Sequence, residues 1–117
     1  MNSISKFEKL ISHLIKETIN NNIEWDIQEP PALLTNNTEN FYPLFLITEY
    51  RNKKIGLYEQ RFKYYQDEDS WSWSERPGLC IFKDEYISYR YEKRSPALKE
   101  LFLKATEQAS GIDELFD

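Results

Sequence analysis

Trp71-Ser72-Trp73 is the string with the most chemical potential in this chain. In extended backbone a spacing of two puts both indoles on one side. The pair follows the acidic triplet Asp67-Glu68-Asp69 and precedes Arg76-Pro77-Gly78. Exposed tryptophans in a connecting segment are common binding anchors, because large aromatics dominate interface energetics. The competing expectation is that both indoles fold back as a lid on the sheet, since Trp is mostly buried on average. Asp67, Glu68, Asp69, Trp71, Trp73 and Arg76 form the expected partner-binding set, with another protein as the partner.

A second set mixes cations and tyrosines. Arg61 and Lys63 share one parity of their segment, and Tyr89 and Arg90 lie on a later one. If helices cover one side of a sheet, the other side can carry these groups. Such a face would hold a small anion or nucleotide by charge-assisted bonds and ring stacking. The plainer reading is a solvated face whose charges pair with Glu49, Glu59 and Glu92.

Other chemistry finds little support. One Cys and one His do not make a zinc site. Asp67-Glu68-Asp69 lacks the spaced ligands and turn glycine of a calcium loop. Cys80 sits in the apolar run Leu79-Cys80-Ile81-Phe82 and reads as a small buried hydrophobe. His13 lies on the flank of a helix. Two carboxylate pairs, Glu24 with Asp26 and Glu49 with Glu59, have the residue types for acid–base work. With 20 acidic residues in the chain, such pairs also arise by chance. No nucleophile, metal set or base has a visible partner, so an enzyme is the least supported class. No cofactor is expected.

The elements that must position these groups follow from periodicity. Ile4, Phe7, Leu10, Ile11, Leu14, Ile15 and Ile19 make one apolar stripe, which predicts a helix over 4–19. Ser5 with Glu8 fits a capping box, and Asn20-Asn21-Asn22 ends it. Residues 23–27 alternate as a short strand, and Pro30-Pro31 opens a polar surface loop over 28–40. Residues 41–50 are the best strand, apolar on both faces in the first half. A turn at 51–54 leads to a return strand over 55–65. Its apolar phase changes midway, which predicts a bulge near Glu59-Gln60. Strands over 79–82 and 86–91 follow the interruption at 66–76. Ser95-Pro96 opens a last helix whose stripe continues through Gly111 to Phe116; the alternative is a break at Gly111 and a short terminal turn.

The sum is α-β-β-β-β-β-α, an α+β fold with an antiparallel sheet of about five strands and both helices on one side. At 117 residues, one domain spanning 1–117 is the plain expectation. A single cysteine excludes an internal disulfide and points to a reducing, cytoplasmic setting. Residues 1–10 carry Lys and Glu without a long apolar run, so no membrane span or signal segment is expected there. The net charge of −5 disfavours nonspecific nucleic-acid binding, which runs on phosphate neutralisation. Three glycines among abundant Lys, Asn, Ile and Tyr look like the product of an AT-rich bacterial or phage genome. A non-enzymatic interaction domain is the leading expectation, such as an immunity protein, a toxin inhibitor or an inhibitor of a host defence. The alternative is a binder of a small anionic ligand. An uncovered sheet face or edge would also suit a homodimer.

Overall fold

The computed structural model describes residues 5–116. Helix α1 (Lys6–Ile19) begins where the sequence places it: Ser5 Oγ accepts from the Glu8 backbone N–H at 3.1 Å, and the Glu8 carboxylate closes the capping box. Ile4, the first residue of the predicted stripe, lies outside the described residues. The helix ends at the Asn cluster, where Asn21 takes a left-handed φ of 57°. Strand β1 (Asp26–Gln28) is shorter and later than the alternation over 23–27 predicts. Ile23 and Trp25 are buried, but ahead of the ladder rather than in it. The expected loop over 28–40 contains one helical turn, α2 (Ala32–Thr35), which buries Leu34.

Four long strands follow: β2 (Phe41–Tyr50), β3 (Lys53–Asp67), β4 (Ser70–Lys83) and β5 (Tyr86–Glu92). With β1 they form one antiparallel five-stranded sheet in the order β1-β2-β3-β4-β5. The β2–β3 connection is a two-residue turn with Arg51 and Asn52 both at positive φ, 51° and 67°. That geometry matches the twist of the flanking strands. Helix α3 (Pro96–Ser110) has Ser95 as its cap, with Ser95 Oγ accepting from the Leu98 N–H. It stops at Gly111, whose φ of 73° ends the α-helical run. A 3₁₀ turn (Ile112–Phe116) follows, and it exposes Leu115 and Phe116. The break at Gly111 is therefore the observed ending; glycine takes the left-handed cap at no steric cost.

Both sheet faces are covered near the middle. On one face Leu46, Ile55, Leu57 and Leu79 pack with Ile11 and Leu14 of α1 and Leu98, Leu101 and Ala105 of α3. Gln108 ties this layer to the chain before β1: its Nε2 donates to Ile23 O, and its Oε1 accepts from the Trp25 N–H. On the other face Tyr42, Phe45, Tyr58 and Cys80 form a smaller core under Leu34. Residues 55–58 are consequently all buried, which explains the apparent change of apolar phase in β3. No bulge interrupts β3 at Glu59-Gln60; the irregularity lies in β2 between Phe41 and Leu44, around Pro43. Proline has no N–H to donate, so a ladder slip there loses little.

The second face needs a bare backbone at Gly78. A Cβ built there would come within 2.3 Å of the Tyr58 ring. Gly78→Ala is expected to destabilise by about 1–3 kcal/mol through overpacking. A thermal melt checks it; an unchanged Tm would mean that the ring moves aside freely. Among the described residues, no helix is long and apolar enough to cross a membrane.

Candidate functional site

Strands β3 and β4 outrun their neighbours. Pairing with β2 ends at Phe41↔Arg61, and pairing with β5 ends at Gly78↔Glu92. The β3–β4 ladder continues to Asp67↔Ser70. Beyond Arg61 the chain is therefore a two-stranded ribbon, an arm of roughly 20 Å at the usual strand rise. The interruption predicted over 66–76 is instead the tip and returning strand of this arm. Its polar and aromatic residues alternate because the ribbon has two uncovered faces, which resembles a loop pattern in sequence.

The register sorts the arm's side chains. Arg61↔Glu75, Lys63↔Trp73 and Tyr65↔Trp71 lie on one face, and Phe62↔Ser74 and Tyr64↔Ser72 on the other. Trp71 and Trp73 do share a side. Their rings meet edge to face at 5.3 Å, and Phe41 continues the row at 5.2 Å from Trp73. Lys63 Nζ lies 4.5 Å from the Trp71 ring centroid and 2.9 Å from Glu39 Oε1. The lysine thus holds the aromatic row to the segment before β2. Trp71 and Trp73 are 42% and 45% exposed, and Tyr64 and Tyr65 are 57% and 52% exposed. Neither indole belongs to either core cluster.

Asp67, Glu68 and Asp69 form the tip, where the Asp67 carboxylate accepts from the Asp69 N–H at 2.9 Å. Five of the six residues expected to meet a partner therefore gather on the outer arm. Arg76 does not. It sits at the arm's base on the opposite face, its Nε donating to Gln60 Oε1 and its guanidinium 4.3 Å from the Phe62 ring. Phe62, Tyr64 and Tyr65 are the aromatic residues of the arm that the expected site sets left out. Their register opposite Ser74, Ser72 and Trp71 is the signal that would have found them.

The second set does not converge. Arg61 and Lys63 are on the helix-bearing face, beyond the helices. Tyr89 is on that face too, but its ring packs on Phe7 of α1 at 4.0 Å. Arg90 is on the other face, opposite Cys80, donating from Nη2 to Glu92 Oε2 at 2.7 Å and to Tyr42 Oη at 3.1 Å. Glu92 also accepts from Tyr58 Oη at 2.6 Å. With Gln60 Nε2 donating to Tyr42 Oη, these bonds make one polar chain from Arg76 to Tyr58. Each charged side chain in it already has a protein partner.

The chain matches no family model, no curated protein and no solved structure.

The remaining candidates are placed as follows. Cys80 is fully buried, and burial pushes its thiol up to about 12, so it is held as the unreactive thiol. His13 is exposed on α1. Glu24 and Asp26 are both exposed at the edge of the sheet. Glu49 is opposite Lys54, and Glu59 is opposite Leu44, so that expected pair does not meet. Glu59 instead neighbours Glu75. A hydrogen bond shared with Glu75, together with burial, raises its carboxyl above the usual range against the opposing Arg61 charge. Ionising both carboxylates works against the fold at neutral pH. Glu59→Gln is expected to raise Tm by roughly 2 °C at pH 7. A group whose folded pKa is raised recovers stability as pH falls through that value, so the advantage should shrink toward pH 4. Melts across that range check the sign. Among the described residues, no group of three or more Asp, Glu, His or Cys side chains comes together to hold a metal.

Proposed function

We propose that this protein is an interaction domain that engages a partner protein with the β3–β4 arm. The observation that carries the reading is the exposed row Phe41, Trp73 and Trp71, which runs from the end of β2 onto a ribbon that extends past the rest of the sheet. Folding gives no reason to expose such rings. Two-stranded ribbons are marginal in water, and a solvated arm of this length is ordinarily polar.

The partner's chemistry follows from the arm's ends. The tip carries three carboxylates, and the whole chain has a net charge of −5. An arm with an acidic tip and apolar rings fits a recess with an apolar floor and a basic rim. Clefts that grip nucleic acid have that basic character. An immunity protein or an inhibitor that blocks such a cleft is the kind of role this arm suits. Steering by opposite charge should also make association depend on salt.

The test is capture from host lysate with the wild-type chain and Trp71→Ala/Trp73→Ala in parallel. A protein held by the wild type and lost by the variant supports the reading. Identical retained sets would count against the arm.

A further inference from the structure

Between the base of the arm and the start of α3 lies a cleft of about 580 Å³, well inside the usual range of ligand sites. Its wall on the sheet side carries Glu59 of β3 and Glu75 of β4. The α3 side carries Lys99, and Arg94 reaches in from the β5–α3 connection. Phe102 and Leu103 supply an apolar lining, and Leu103 is half exposed.

We propose that this cleft binds a small zwitterion with an apolar body, of the size of an apolar dipeptide. A ligand bearing only positive charge would meet Arg94 and Lys99. One bearing only negative charge would meet Glu59 and Glu75. A molecule with a free ammonium and a free carboxylate answers both walls, and its apolar body covers Phe102 and Leu103. The groups are partly pre-set. Arg94 is anchored through Nη2 to Ser74 Oγ and to Glu75 O, which fixes the guanidinium beside the carboxylate wall. Among the described residues Lys99 has no carboxylate within ion-pair distance. Glu59 has Arg61 Nε at 3.8 Å, too long for a strong bond. Arg76 also borders the cleft, but its Nε is spent on Gln60.

Glu59 and Glu75 line the same cleft, and Glu75, together with burial, raises the Glu59 carboxyl above its usual range, which is costly for folding. An arriving ammonium supplies the positive charge the pair lacks. This gives the like-charged pair a purpose that the fold does not. The inference does not depend on the arm's role, because none of these residues is on the aromatic row.

The probe is the dipeptide Leu-Leu at 10 mM, read by thermal shift and by calorimetric titration. Leu-Leu is expected to raise Tm by several degrees. N-acetyl-Leu-Leu, without the ammonium, and Leu-Leu amide, without the carboxylate, should each give less than a third of that shift. Glu59→Gln/Glu75→Gln and Lys99→Ala should each weaken binding tenfold or more while still melting cooperatively. Trp71→Ala/Trp73→Ala should keep the full shift, which separates this site from the arm. No shift with Leu-Leu would overturn the proposal. So would equal shifts from the blocked peptides, or binding that survives in both cleft variants.

Discussion

Trp71→Ala/Trp73→Ala should bind the partner about a thousandfold more weakly than the wild type, and should still fold. Anchors of this kind are each worth about 2 kcal/mol or more on truncation, and about 1.4 kcal/mol is a factor of ten. Two of them in one row give roughly 4 kcal/mol, provided that both seat in the same recess. The cost to the fold is smaller. The edge-to-face contact contributes about 0.5–1.5 kcal/mol, and the exposed Lys63 contact about 0.5–1 kcal/mol. Against a total stability of about 5–15 kcal/mol, the sheet should survive with Tm lowered by less than about 10 °C. Isothermal titration with the captured partner and a circular-dichroism melt give the two readouts. Affinity within threefold of wild type would sink the arm as the interface. Loss of the cooperative melt would show that the indoles hold the fold after all.

The elements whose signals are local were legible in the sequence. The Ser5–Glu8 box, the Ser95-Pro96 start and the 41–50 strand all sit where pattern places them, because each is fixed by bonds within a few residues. The antiparallel sheet with both long helices on one face also follows from hairpin order and two amphipathic stripes. What failed depends on contacts distant in sequence. The phase change in β3 reads as a bulge only when one assumes a single buried face; Leu34, from a segment read as a polar loop, covers the other. Likewise, 66–76 reads as a loop because strand propensity presumes cover, and an uncovered ribbon has none. The site was half legible for the same reason. Spacing put Trp71 and Trp73 on one side, but only the register adds Tyr65, Lys63 and Phe41, and only the end of the β5 pairing shows that the arm stands clear. Arg61, Lys63, Tyr89 and Arg90 share a composition, and the pleat distributes them over two faces.

Glu92 is where removing one side chain should harm the fold most for reasons of charge. Burial alone would raise its carboxyl, but the Tyr58 hydroxyl and the Arg90 guanidinium outweigh that and hold it below the usual range. Glu92→Ala removes the acceptor for both. Tyr58 is fully buried, so its hydroxyl is left without a partner in an apolar layer, and Arg90 keeps only Tyr42. Orphaning these donors should cost about 2–4 kcal/mol at pH 7, roughly 8–16 °C in Tm. Tyr58→Phe leaves the Arg90 pair intact and should cost only about 1 kcal/mol. Because the folded pKa is depressed, this contribution is present above the unfolded carboxyl value of about 4.3 and is lost as pH falls through the folded value. Wild type and Glu92→Gln should therefore converge in Tm as the pH drops below about 4, whereas Glu59→Gln loses its advantage over wild type at higher pH, before the ordinary carboxyl value is reached. The two carboxyls have opposite signs, so a pH series on both variants separates them. A Glu92→Gln melt that tracks the wild type at pH 7 would mean that Arg90 and Tyr58 find other partners, and that the polar chain across the second face is not what holds the base of the arm.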